Sequence, residues 1–231
     1  MSAPFDLQKV NADFEKLSAV ALLQWALKQF PSKMAVASSF GAEDVVLIDI
    51  MVKLEPAVKI FTLDTGRLNE ETYEVMDKVR RKYGVSIESY FPQAQTVEKL
   101  EREKGFYSFR ESIENRKECC AIRKVEPLNR ALKGLDAWVT GLRGAQAVTR
   151  TTLQKVELDE ARNGIYKINP LADWSEEDIK SYIKKNAVPY NRLHDEGYPS
   201  IGCAPCTRAI RAGEDIRAGR WWWENPEHKE C

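Results

Sequence analysis

Through its first half the chain alternates short apolar runs with stretches of helical period, and no other feature constrains the fold as strongly. Residues 13–30 place Leu17, Ala21, Leu22, Trp25 and Ala26 at helical spacing and stop at Pro31. MAVASS (34–39) reads as a buried strand, Gly41 as a turn, and a helix begins near Ala42. A second strand, Val58 to Leu63, leads into Asp64-Thr65-Gly66-Arg67, and a helix from about Asn69 to Tyr83 stops at Gly84. Val85 to Phe91 and Ala137 to Thr140 read as third and fourth strands, the last ending at Gly141. Strands separated by helices of this length form βαβ units. The expected fold is therefore α/β, a Rossmann-like parallel sheet with helices on both faces. Ligands of such sheets bind at the carboxyl ends of the strands. The loops there are SSFGAED (38–44), LDTGR (63–67), the region after Phe91, and GLRGAQAVTR (141–150).

The second half is less regular. Ser175 to Asp178 resembles a capping box, with Trp174 and Ile179 placed as a hydrophobic staple, so a helix should run from about 176 to 186. From residue 188 onward Pro189, Gly197, Pro199, Gly202, Pro205, Gly213, Gly219 and Pro226 mark loops. The expected organisation is one domain over 1–231: an α/β nucleotide-binding core to about 187, a loop-rich cysteine segment over 188–225, and a tail over 226–231. Lys+Arg and Asp+Glu both number 35, which argues against a general nucleic-acid or membrane-surface binder. The longest apolar stretch, near Val45 to Val52, contains Asp49 and is too short to cross a bilayer. The N-terminus lacks the basic and apolar regions of a secretory signal, so a cytoplasmic location is expected.

The 5 cysteines are unevenly placed: Cys119 and Cys120 are adjacent, Cys203 and Cys206 form CxxC, and Cys231 is last. A CxxC lets two thiolates reach one metal or cluster, and a second pair completes four sulfur ligands. Zinc favours spaced pairs, whereas a cluster is large enough to take neighbouring thiolates at different corners. A zinc staple and free buried cysteines remain the other readings. Residues 116–155 carry a net charge of +6 in a chain that is neutral overall. A pocket gathering Lys124, Arg143, Arg217 and Arg220 suits a small polyanion, because guanidinium forks match phosphate and sulfate. SSFGAED is a strand–turn–helix whose helix-start amides can hold an anion or a ribose. The run WWW (221–223) reads as packing, with stacking on a base as the other reading. His194 and His228 are too isolated for a metal triad. Cys231 sits on a polar tail, where reactivity requires positive surroundings.

FGAEDVVL (40–47), LDTGRLNEET (63–72), CCAIRKVEPL (119–128), TGLR (140–143), IGCAPC (201–206), RAGRWWWE (217–224) and KEC (229–231) together resemble the adenylyl-sulfate reductases of assimilatory sulfate reduction and the related 3′-phosphoadenylyl-sulfate reductases. The resemblance implies an adenine nucleotide alpha hydrolase-like fold and one [4Fe–4S] cluster on Cys119, Cys120, Cys203 and Cys206. It implies a substrate pocket built from Ser38, Ser39, Gly41, Asp44, Leu63, Thr65, Gly141, Arg143, Arg217 and Arg220, with Lys124 and Cys231 as catalytic residues. Cys231 is then the nucleophile that takes sulfur from adenylyl sulfate as an S-sulfonate. A separate thioredoxin or glutaredoxin is the reductant, with 3′-phosphoadenylyl sulfate as a second substrate and neither nucleic acid nor membrane as partner. Three positions depart from the family pattern. Relatives usually continue past the cysteine with Gly-Leu-His, and a terminal carboxylate beside Cys231 would raise its pKa. Many carry Ser where this chain has Phe40, which passes that hydroxyl's task to Ser38 or Ser39. The charged pair often found after Arg143 is missing, so Arg150 is not carried over. The competing classes are a zinc-stapled RNA- or protein-binding module and an ATP-pyrophosphatase or tRNA-thiolating relative. The latter needs a second Gly and a Ser where this chain has Ala42 and Asp44.

Overall fold

The computed structural model describes residues 5–144, 153–162 and 164–224. Six strands, β1 (Met34–Ala37), β2 (Lys59–Leu63), β3 (Ile87–Tyr90), β4 (Ala137–Val139), β5 (Val156–Asp159) and β6 (Ile165–Ile168), make one sheet in the order β3-β2-β1-β4-β6-β5 among the described residues. β1 pairs in parallel with β2 and β4, and β4 with β6, as the βαβ reading requires. β5 runs antiparallel to β6, an edge hairpin that the apolar pattern does not announce because VELD and IYKI are short and partly polar. The order reverses between β1 and β4, which makes the loops after these two strands the switch point where α/β sheets bind ligands.

Helices flank the sheet. The single run expected over 13–30 is instead two helices, α1 (Leu7–Phe14) and α2 (Ala19–Gln29). The break has a local cause: the Ser18 side chain accepts from the Ala21 amide and starts a new helix. α3 (Ala42–Leu54) is buried from Asp44 to Met51, which explains its nearly continuous apolar sequence. Its one buried mid-helix charge, Asp49, accepts from Lys53 Nζ (2.6 Å), Tyr182 OH (2.7 Å) and Tyr83 OH (2.9 Å). Burial alone would raise this carboxyl, but the three donors hold it below the ordinary range. They tie α3 to α4 (Glu70–Tyr83) and to α8 (Glu176–Asn186). α8 starts at the expected capping box, with both Ser175–Asp178 hydrogen bonds formed. Trp174 and Ile179 pack into the same core. Between β3 and β4 lie α5 (Ala94–Lys104), α6 (Ile113–Cys120), a π-helical turn over Ala121–Val125, and α7 (Glu126–Ala131). No described helix is long and apolar enough to cross a membrane.

The chain divides into two compact units. The first comprises Met1–Phe61, Val75–Glu88 and Gly134–Tyr190; the second comprises Thr62–Glu74, Ser89–Lys133 and Asn191–Cys231. The first holds the large aliphatic core, which includes Leu22, Leu23, Val36, Leu47, Ile60 and Ile168. Among the described residues the second includes a small cluster of Leu100, Phe109 and Cys119, with Ile122, Cys206 and Trp223 against it.

Candidate active site

In the first unit, the loop after β1 carries Ser38, Ser39 and Gly41. Phe40 turns it with a positive φ of 58° while its ring is fully buried, so the unusual backbone falls on the anchor residue rather than on the glycine. Gly41 caps α3 with no side-chain hydrogen bond, and a Cβ there would meet only ordinary contacts. The first-turn amides thus have no capping side chain in front of them. The Ser38 hydroxyl accepts from the Phe40 amide (3.1 Å). Ser39 donates twice to Asp44, from its amide (2.6 Å) and its hydroxyl (2.7 Å). Burial nevertheless raises Asp44 to about 6; the Ser39 bonds oppose the shift and Glu43 adds to it. After β4, Gly141 lies against Asp44 and Glu43, and a Cβ there would overlap the Asp44 carboxylate. That close approach, rather than a turn, is why position 141 must be glycine. Arg143 is 4% exposed, paired with Glu43 at 2.8 Å and donating to the Trp174 carbonyl.

The second unit holds the cysteines. Cys119 and Cys120 end α6, Cys203 and Cys206 bound a 3-10 turn, and all four thiols are free. They act on one another. Burial first, then Cys203, Cys119 and Cys120, push the Cys206 thiol up to about 12. Burial also raises Cys119 and Cys120, with Cys203 adding to both; Arg123 and Arg67 oppose it at Cys119, as Lys124 does at Cys120. Among the described residues no three His, Cys, Asp or Glu groups gather as ligands of one metal ion would. Thr65, fully buried after β2, brings its hydroxyl to 3.2 Å from Cys203 Sγ, and the Arg67 carbonyl accepts from the Ala204 amide (2.8 Å). Leu63 closes β2 just before this loop.

Glu101 and Arg123 are parts of this region that the sequence reading did not single out. Glu101 Oε1 accepts from Arg67 (3.0 Å) and Arg123 (2.7 Å), and Arg123 Nη1 donates to the Thr65 carbonyl (2.8 Å). Arg123 Nε, buried on the same guanidinium, has no hydrogen-bond partner among the described residues. The π-helical turn that carries Arg123 and Lys124 is of a kind common at functional sites.

Three of the four expected polyanion-binding cations, Lys124, Arg217 and Arg220, lie in the second unit, and none has a carboxylate partner among the described residues. The fourth, Arg143, lies in the first unit with its charge balanced by Glu43. Arg220 donates weakly to Ser200 Oγ and the Ile201 carbonyl (3.3 Å each), and its guanidinium rests on Gly202, where a Cβ would overlap it. The glycine of IGCAPC is the signal that could have revealed this seat. Burial, then the nearby Arg217, lowers the Arg220 pKa, while the thiols of Cys203, Cys206 and Cys120 oppose that. Trp223 packs as expected, on Phe109 and in the small core. His194 bonds the Tyr198 carbonyl, a structural role. Cys231, Arg150 and His228 lie outside the described residues.

Residues 33–209 match the model of the phosphoadenosine phosphosulfate reductase domain family. An adenosine 5′-phosphosulfate reductase of Allochromatium vinosum is 53% identical over 93% of this chain and 83% of its own length. One from Pseudomonas aeruginosa is 44% identical over 100% of this chain and 87% of its own. The crystal structure of phosphoadenylyl-sulfate reductase from Candida auris, a phosphate complex, is 31% identical, covers 91% of this chain and 100% of that one, and superposes with a TM-score of 0.77. With sequence, fold and loops in agreement, the chain belongs to the adenylyl-sulfate and phosphoadenylyl-sulfate reductase family.

Proposed function

We propose that this protein reduces adenylyl sulfate to sulfite and AMP in sulfate assimilation. The observation that carries the reading is in the second unit, where four mutually interacting free thiols occur with three cations that no described carboxylate neutralises. The substrate's sulfate and phosphate supply the missing negative charge, and Lys124, Arg217 and Arg220 bind them. Within the first unit, the loops after β1 and β4, with Ser38, Ser39, Gly41, Asp44, Gly141 and Arg143, offer the helix-start amides that suit a nucleoside or an anion. Within the second unit, Thr65, which follows Leu63 and Asp64, lies against the Cys203 thiol.

The Cys231 thiolate attacks the sulfur of adenylyl sulfate. The bond from sulfur to the bridging oxygen breaks, AMP departs with the electron pair, and a cysteine S-sulfonate remains. One thiolate of a thioredoxin- or glutaredoxin-type dithiol then attacks the cysteine sulfur and expels sulfite. Its second thiol resolves the mixed disulfide, so the dithiol supplies two electrons and Cys231 returns as a thiol. Lys124 stabilises charge on the phosphosulfate as AMP leaves.

Cys119, Cys120, Cys203 and Cys206 would hold one [4Fe–4S] cluster. The donor set fits: four free thiols that act on one another electrostatically, and a buried Arg123 Nε with no hydrogen-bond partner among the described residues. When bound, the cluster supplies a fixed charged scaffold and no electrons to the reaction. Thr65 and Arg123 orient the thiolates. Free thiols in this number suit a reducing compartment, and we place the protein in the cytoplasm.

The test uses protein purified without oxygen. Iron and sulfide of about four each per chain, with sulfite released from adenylyl sulfate and reduced thioredoxin, support the reading. Cys231→Ser should form no sulfonate adduct. Stoichiometric zinc without sulfide overturns the cluster, and absence of sulfite overturns the activity.

A further inference from the structure

We infer that Trp221 is a positioning residue that gathers Arg217 and Arg220 into a single anion-facing pair. Its indole carries three guanidinium groups: Arg116 at 4.7 Å, Arg220 at 5.1 Å and Arg217 at 5.9 Å from the ring centroid. Two cations that face the same anion repel each other whenever the anion is absent, so the free protein needs something to hold them together. The negative face of an aromatic ring does this without neutralising either charge, which a carboxylate would do. A carboxylate partner would also compete with the substrate for the same donors. The ring therefore adds no acceptor that would take up the donors of either fork.

Trp221 itself is held in an unfavourable conformation. Its φ of +49° is in the left-handed region, a rare place for a bulky residue. Such strain persists where surrounding contacts over-determine it, and it clusters at functional sites. The restraints here are specific. The Trp221 amide donates to the Cys206 carbonyl (3.3 Å), and its carbonyl accepts from the Glu224 amide (2.8 Å). Arg116 stacks on the ring while binding both Glu224 carboxylate oxygens, at 2.7 and 3.0 Å. The Arg116 charge is thereby spent on Glu224, which makes Arg116 a clamp on the platform and leaves Arg217 and Arg220 as its two cargo residues. Arg220 is additionally seated on Gly202, and a short turn in which the Arg220 amide donates to the Arg217 carbonyl (2.8 Å) sets the spacing of the pair. The other two tryptophans of the run do different work: Trp223 packs on Phe109, and both rings stack with Arg110.

This inference rests on the functional reading above in taking adenylyl sulfate as the anion, so the experiment uses two probes. Dissociation constants for adenylyl sulfate and for inorganic sulfate are measured in wild type, Trp221→Leu, Trp221→Phe, Arg217→Ala and the Trp221→Leu/Arg217→Ala double variant, with iron content recorded for each. Trp221→Leu should weaken both probes by roughly tenfold, the scale of a lost cation–π platform. Trp221→Phe, which keeps a ring face, should recover most of that loss. In the Arg217→Ala background the leucine change should cost less than about twofold, because its effect acts through the arginine. In turnover the loss should appear in KM more than in kcat. Equal loss in both backgrounds, binding unchanged in Trp221→Leu, or a wild type that binds neither probe overturns the inference. A wild type that binds sulfate but not adenylyl sulfate sinks the functional reading alone, and the sulfate series still decides the role of Trp221.

Discussion

The first unit is held by aliphatic side chains packed on a sheet, and polar groups such as Asp49 enter its interior with donors supplied by its own helix and by neighbouring helices. Among the described residues the second unit has smaller apolar clusters, such as Leu100, Phe109 and Cys119, and is tied as well by charged pairs: Glu101 with Arg67 and Arg123, Glu224 with Arg116, and Glu214 with Arg208. Partly exposed ion pairs contribute little stability each. A region built this way needs another source of order, and the four thiols mark where it enters. The first unit can therefore be treated as a scaffold that folds on its own core, and the second, under the proposed cluster, as a region whose order depends on the group that its cysteines would hold.

Iron removal tests this contrast most severely. With the proposed cluster bound, stripping iron under anaerobic conditions should raise amide hydrogen exchange by roughly 100-fold in 89–133 and 191–224, while 34–60, 137–139 and 165–168 stay protected. Equal loosening of both sets of segments would show that the units are not energetically distinct. Protection retained throughout would show that the ion pairs suffice.

Matched core truncations give a smaller effect. Leu47→Ala, at a fully buried position in the first unit, should cost about 3–5 kcal/mol, because the surrounding helix and sheet cannot collapse into the cavity. Leu100→Ala, in a small cluster of the second unit, should cost about 2 kcal/mol, since a small, less enclosed cluster relaxes more readily. Denaturant midpoints in iron-loaded protein measure both. Reversal of the order would mean that the small core, rather than the cysteines, organises the second unit.

The two regions also differed in how far their sequences revealed them. β1, β2 and β4 and helices α3, α4 and α8 were legible because burial sets their period and because glycine, proline or a capping box marks their ends. α5 to α7 were not assigned, since each buries only one or two residues and leaves little periodicity. The cysteines, Lys124, Arg217 and Arg220 were legible as chemistry-bearing types at informative spacing. Their arrangement was not. Glu43 pairs with Arg143 and Glu224 with Arg116 across about a hundred residues, so no local pattern reveals which basic residues keep an unspent charge. The same limit hid Trp221: a WWW run looks like packing until the positions of three arginines are known.

The smallest effect concerns Asp44, a carboxyl in the first unit whose environment works against its charge. Its folded pKa is raised from 3.8 to about 6, chiefly by burial. Between those values the folded state binds a proton that the unfolded state has released. Asp44 therefore contributes full stability below pH 3.8, loses it as pH rises, and reaches its minimum above about pH 6. A rise of that size sets an upper bound of about 3 kcal/mol on the effect. Asp44→Asn stays neutral at every pH. The stability of wild type minus that of the variant should therefore fall by about 2 kcal/mol between pH 4 and pH 7, as seen in denaturant unfolding at the two pH values. Arg143, Glu43 and the rest of the loop are common to both proteins and cancel in the difference. A flat difference would mean that the two Ser39 hydrogen bonds compensate burial fully. The first unit would then resemble its own Asp49 site, where donors outweigh desolvation, and the loop after β1 would carry no electrostatic stress for a ligand to relieve.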